Sequence, residues 1–240
     1  MGKTIKTKVD FEKLIEETCN EFGVWQLANN ILYDLCKKHP SHVNPDEVIA
    51  KVWLIGRSYA AALERGRNTK ESSDLFYEKT LIDAVAKHSN KIDESIKLLS
   101  DNPKNVADKN VFDAYMEVLE WFHKASEMWN VSLASKYLHF HCPNIFFLYD
   151  SRAASSIGKI AKFLGAKNAY KEREVNCFIS CEDEEERERM RVYVKFYLKC
   201  KECSLKIKEA FGKKLSIRDF DNLLLRIANE EISLNENVIE

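Results

Sequence analysis

Apolar residues recur every three to four positions along almost the whole chain, the spacing of helices that each bury one stripe. Gly (7) and Pro (4) supply 11 of 240 residues, which leaves little room for a sandwich, a barrel or a hairpin-rich fold. The periodicity predicts helices over 9–22, 24–38, 45–66, 73–88, 91–100, 108–128, 132–141, 151–164, 182–211 and 217–229. Local chemistry sets several ends. Asn44-Pro45-Asp46-Glu47 joins a capping side chain to Pro in the first turn and acids at the positive end of the helix dipole. Asp101-Asn102-Pro103 breaks one helix, Gly212 stops the long one, and Ser216 caps the last. The expected fold is an all-α globular bundle of about ten helices. Gly165 to Ser180 has the weakest pattern. It marks a boundary between a helical domain, 1–165, and a C-terminal region, 166–240, that packs on it or merges with it into one domain.

Charge and composition narrow the function classes. Hydrophobic residues are 45% and charged residues 31%, a globular rather than a disordered balance. A net charge of −1 gives no global attraction to nucleic acid or membrane. Locally, residues 151–170 hold Arg152, Lys159, Lys162 and Lys167 without an acid, and Arg57, Arg65, Arg67 and Lys70 follow one another with only Glu64 among them. These two stretches are where phosphate contacts are expected. The longest apolar run, Ile145–Tyr149, is far short of the roughly 20 residues of a membrane span. MGKTIKTKVDFEK has no apolar core for a secretory signal. Cytoplasmic location is the expectation, with no membrane partner and reduced thiols. There is no Gly-rich phosphate loop, no His-Glu-x-x-His helix and no Gly-x-Ser-x-Gly elbow, so no nucleotide or other cofactor is expected. No arginine is followed by a histidine four to six residues on, which argues against the helical ribonucleases.

The cysteines offer one metal reading. Cys177 and Cys181, then Cys200 and Cys203, approach four-thiolate zinc spacing. The second pair falls inside a strong helical pattern, so buried free thiols are the preferred reading. His139 and His141, two apart on a helix, face different ways, which sets aside joint ligation.

The segment VSLASKYLHFHCPNIFFLYDSRAASSIGKIAKFL carries the richest chemistry. Lys136 sits near the start of a short helix among Tyr137, Leu138 and Phe140. A lysine held among apolar groups loses solvation and becomes available as a nucleophile. Asp150 follows at the expected cap of the next helix. The helix from Lys136 to His141 climbs roughly 8 Å, and the extended segment 143–149 can return up to about 23 Å. The spacing therefore permits the two side chains to meet. Asp150 as a plain N-cap and Lys136 as a solvated residue are the ordinary alternatives.

Val131-Ser132-Leu133-Ala134-Ser135-Lys136, Pro143 and Tyr149-Asp150-Ser151-Arg152 together resemble the helix-hairpin-helix DNA glycosylases, the 8-oxoguanine glycosylase-like branch above all. The likeness covers about 25 residues and implies a helix-hairpin-helix-like element over 131–164. It carries Ser132 and Ala134 where that hairpin has glycines, and its Lys-to-Asp spacing is shorter. The resemblance implies that Lys136 attacks the sugar C1′ of a flipped nucleotide to form a Schiff base, with strand-nicking lyase activity and no cofactor. Asp150 would steady the oxocarbenium charge or assist proton movement. Backbone amides around Ser132, Ala134 and Ser135 would hold a phosphate. Tyr137, Phe146 and Tyr149, with Trp121 or Trp129, would border the base pocket, and His139, Ser151, Arg152 and Arg57 would contact the nucleic acid. A core role is the ordinary reading of His139 and of the run Phe146–Tyr149. The alternative is a non-catalytic all-helical module that binds nucleic acid or protein, in defence against foreign DNA for example.

Overall fold

The computed structural model describes residues 4–20, 25–64, 72–103, 105–166, 170–179, 181, 183–236 and 238. About 72% of the chain is helical. The order is β1 (Thr4–Ile5), α1 (Lys8–Asn20), α2 (Gln26–Lys38), α3 (Pro45–Ser58), α4 (Ser73–Leu75), a π-helical segment Phe76–Leu81, α5 (Ile82–Val85), α6 (Ser89–Asp101), α7 (Asp108–Ser126), α8 (Val131–His141), α9 (Ser151–Phe163), α10 (Glu172–Cys177), α11 (Glu184–Phe211), α12 (Ile217–Asn229) and β2 (Ser233–Leu234). The all-α expectation holds. The expected caps are present: Asn44 accepts from the Asp46 amide, Asp150 from Ala153 and Ser216 from Asp219.

Two expected helices differ. The one expected over 45–66 ends at Ser58. Ala60 takes a left-handed backbone (φ 52°), and the Ala61 amide reaches back to the Gly56 carbonyl at 2.8 Å, an ending usually made with glycine. The reversal buries Ala62 and Leu63. It brings Ala62 so close to Gly56 that a Cβ there would lie 3.2 Å from the Ala62 Cα. Tertiary burial thus ends the helix ahead of Gly66, which lies outside the described residues with Arg65, Arg67 and Lys70. The helix expected over 73–88 is instead α4, a π turn and α5, ending at Val85.

The chain forms two compact units, each made of separated stretches. The first comprises Met1–Val24, Phe147–Ser180 and Arg191–Glu240, and the boundary expected at 165/166 falls inside it. Here α12 packs on α9 and α1, and β1 pairs in parallel with β2, Thr4 opposite Ser233. Phe11, Phe163, Leu223, Leu224 and Ile227 are buried in it.

The second unit comprises Trp25–Phe146 and Cys181–Met190. In it α7 packs on α5, α6 and α8, and α8 also packs on α2 and α3. Val111, Phe112, Tyr115, Val118, Leu119, Trp121 and Phe122 give α7 a continuous buried face. In α8 every residue from Leu133 to Phe140 is buried. A helix buried all round belongs to a core, yet this one carries Ser135, Lys136 and His139 into it.

Candidate functional site

Asn130 opens α8. Its side chain accepts from the Leu133 amide at 3.0 Å, and its carbonyl accepts from the Ala134 amide at 3.0 Å. Residues 131–135 are therefore the first turns of the helix, and these two amides are spent inside it. Ser135 donates to the Ser132 carbonyl at 2.9 Å. Of the backbone amides expected around Ser132, Ala134 and Ser135 to hold a phosphate, that of Ala134 is engaged within the helix.

One turn further on, Lys136 is 3% exposed. Its Nζ donates to Ser132 Oγ at 2.7 Å and lies 5.6 Å from the centre of the Tyr59 ring. The i, i+4 spacing puts Ser132 under the amine, and Tyr59 arrives from the end of α3. Tyr59 is itself oriented by donating to Asn29 Oδ1 at 2.7 Å. The ring face favours the cationic form of the amine, whereas a serine hydroxyl can serve either form.

His139 lies nearby on α8 and is fully buried. Its Nδ1 meets the Phe146 carbonyl at 2.8 Å, which can only accept, so Nδ1 carries the proton. Nε2 then accepts from the Tyr33 hydroxyl at 2.6 Å. His139 is a core histidine that ties α8 to α2 and to the segment after it. Phe146 is equally buried, a core side chain in place of the expected pocket wall.

Tyr137 faces another chain of polar groups. Its hydroxyl meets His42 Nε2 at 2.6 Å, and His42 Nδ1 meets Asp93 Oδ1 at 2.6 Å. Asp93 also accepts from Ser41 Oγ and from the His42 amide. Desolvation acts to raise the Asp93 carboxyl, but these bonds outweigh it and hold the carboxyl below its ordinary value. The carboxylate is thus the acceptor, His42 is protonated on Nδ1, and Nε2 accepts the hydrogen bond that the Tyr137 hydroxyl donates. Burial pushes the Tyr137 phenol well above its usual range, with Cys36 and Asp93 adding to it. Burial pushes His42 down, and its hydrogen bond to Asp93 only partly restores it. Beneath them Lys51 is wholly buried and donates to the carbonyls of His39 and Ser41 at 2.8 and 2.7 Å. Burial lowers its amine to about 8. Trp121 closes this cluster with its ring edge-on to His42 and Tyr137. It is core, its indole N–H donating to the Leu81 carbonyl. Tyr137 and Trp121 are therefore buried side chains that pack and hydrogen-bond within the core around α8.

The remaining expected residues belong to several places. Asp150 caps α9, accepting from the Ala153 amide at 2.9 Å, and belongs to the first unit while Lys136 belongs to the second. Tyr149 packs edge-on against Phe196. Ser151 is exposed at the start of α9, and Arg152 is exposed beside it, donating to Asn229 at 3.3 Å. Arg57 pairs with Glu64 and lies 5.9 Å from the Trp53 ring centre. Trp129 stacks on His123 at 3.8 Å with the rings 7° apart. These two border a cleft of about 430 Å³ with Glu120, Lys124, Asp183 and Glu186. There burial, then Glu120 and Asp183, push the Glu186 carboxyl up to about 7 against the pull of Lys124.

Cys200 and Cys203 are buried thiols on α11, Cys177 is exposed and Cys181 half-buried. Among the described residues no group of three or more His, Cys, Asp or Glu side chains is arranged to hold a metal ion. No described helix is long and apolar enough to cross a membrane.

Sequence reasoning missed His42, Asp93 and Lys51. They come from the α2–α3 connection, α6 and α3, and no local spacing links them to Tyr137. Compared with family models, with curated proteins and with solved structures, the chain finds no match in any of the three.

Proposed function

We propose that this chain is a DNA glycosylase-like enzyme that removes a damaged or modified base through the amine of Lys136. The observation that carries the reading is the burial of Lys136, with its amine set on a serine hydroxyl and against an aromatic ring. Lysine is among the residues least often buried, and a desolvated lysine amine is a recurrent covalent nucleophile. The local resemblance of 131–153 to the glycosylases gives that nucleophile a substrate. The neutral amine would attack C1′ of the sugar while the glycosidic C–N bond breaks and its electron pair leaves with the base, which gains a proton. The nitrogen would then expel the ring oxygen, opening the sugar to an iminium. Hydrolysis returns the lysine with an abasic site, and loss of the 3′ phosphate by β-elimination nicks the strand.

Borohydride reduces such an iminium to a stable amine. The expected result is a covalent protein–DNA adduct with duplexes that carry an abasic site or 8-oxoguanine, and its loss in Lys136→Ala. An equal adduct yield in Lys136→Ala overturns the assignment.

A second reading has its own support. The Leu133 and Ala134 amides are used within α8, and the chain is nearly neutral. Both features suit a helical module that binds nucleic acid or protein without chemistry. A salt series separates these cases, because DNA affinity falls steeply between low and moderate salt.

A further inference from the structure

Of the basic residues singled out in the sequence, the four that lie among the described residues have partners within the molecule. Arg57 pairs with Glu64. Lys162 pairs with Glu236 at 2.9 Å, Lys159 donates to the Ile232 carbonyl, and Arg152 donates to Asn229. A different basic surface lies on the second unit, where one of three lysines, Lys124, also pairs with Glu120 at 4.0 Å. An open groove of about 410 Å³ is lined by Lys79, Thr80, Asp83, Ala84, Lys87 and Lys124. Three ammonium groups share it with a single carboxylate, in a chain whose net charge is −1.

Lys79 and Lys87 are exposed, and among the described residues neither is in an ion pair. Lys124 is held in place. Its Nζ donates to His88 Nε2 at 3.2 Å, and His88 turns its Nδ1–H to Glu117 at 2.6 Å. The backbone under the groove is unusual as well. Lys79 and Thr80 lie in the π-helical segment Phe76–Leu81, a geometry found mostly as short turns and frequently at functional sites. That segment carries Tyr77, whose hydroxyl donates to Glu64 at 2.6 Å, and Leu81, whose carbonyl accepts from the buried Trp121. The π turn is therefore pinned from inside while its lysine faces outward.

We infer that this groove binds the phosphodiester backbone of duplex DNA, an inference that rests on the DNA-directed reading above and adds a contact surface to it. Lysines from the π-helical segment, from the turn after α5 and from α7 line one open groove, a charge complement to phosphates, and phosphate contacts fix register without reading sequence.

The test is the anisotropy of a labelled duplex, with the full-length protein titrated at several salt concentrations and the borohydride adduct measured in the same samples. In K79Q/K87Q the slope of log K against log salt should fall by about 1.8, the release expected for two phosphate contacts. K208Q/K214Q removes the same charge from exposed positions on α11 and after it, and should keep the wild-type slope. A slope unchanged in K79Q/K87Q, or lowered equally in both variants, overturns the groove; an intact adduct then leaves the glycosylase reading standing. A reduced slope with no adduct in the wild type keeps the groove and removes that reading. A wild type that fails to bind duplex overturns both. Displacement of the duplex by inorganic phosphate at constant ionic strength would make this a single-anion site and overturn the DNA assignment.

Discussion

Lys136 and Tyr137 are adjacent in sequence and stand about 100° apart around α8. Both are buried, yet they are buried in different ways. The Tyr137 side ends in a closed chain, phenol to imidazole to carboxylate, with each proton directed by the group that follows it. Asp93, at 29% side-chain exposure, lets that chain reach water. Such a chain specifies one packing of α8 against the α2–α3 connection and α6. The Lys136 side brings an amine onto a hydroxyl and a ring face, groups that orient the side chain. Burial alone therefore does not separate a core polar group from a chemical one. The partners do.

The sharpest way to break this contrast is Lys136→Met, which keeps the stem and removes the amine. Adduct formation should fall roughly a hundredfold or more, with the urea midpoint held or raised because a desolvated amine has gone. A variant that still forms adduct erases the distinction between the two faces. Tyr137→Phe should do the opposite. It strands His42 Nε2 in the core and costs about 1–3 kcal/mol in urea unfolding, while adduct yield per folded molecule stays near wild type. A midpoint equal to wild type would show that the chain does not hold α8.

Acid should sharpen the same comparison. His42 titrates below its ordinary 6.5 in the fold, so beneath pH 6.5 the unfolded chain binds a proton that the folded chain refuses. Stability should then drop as pH falls, by as much as about 1.4 kcal/mol per pH unit. The depressed Asp93 carboxyl acts in the same direction lower down, its contribution present above about pH 4 and lost as pH falls through its folded value. Urea midpoints between pH 7 and pH 5 should flatten in His42→Gln, and an unaltered slope would assign the acid sensitivity elsewhere. The smallest effect is expected at the cleft beside Trp129. Glu186 is raised to about 7 from 4.5, so its contribution is full below pH 4.5 and fades as pH rises through 7. Because the site is open to solvent, Glu186→Gln should raise the melting temperature by only about 1–2 °C at pH 8 and leave it unchanged at pH 4. A loss of stability at pH 8 would mean that the ionised carboxylate is the favoured form.

Most helices were legible because their signals are local. Asn44, Asp150 and Ser216 announce starts that the structure keeps, and the acids at the start of 184–211 lie where the dipole favours them. The exceptions at Ala60 and at the π turn have no such signature, since packing of Ala62, Leu63 and Tyr77 imposes them. Among the expected site residues, the sequence marked Lys136 as a lysine with apolar neighbours, and the burial agrees. For Tyr137, Phe146 and Trp121 it left a pocket and a core both open, because an aromatic run looks alike whether it faces a ligand or a core.

What the sequence determined by itself is the helical order of the chain, since capping and i, i+4 spacing act within a few residues. What only the tertiary structure decided is the company each buried group keeps. Tyr137 finds His42 across 95 residues and His139 finds Tyr33 across 106, pairings that exist only once the helices pack. Desolvation then fixes which atom donates and which accepts, because a buried polar group left unpaired costs more than the bond itself contributes.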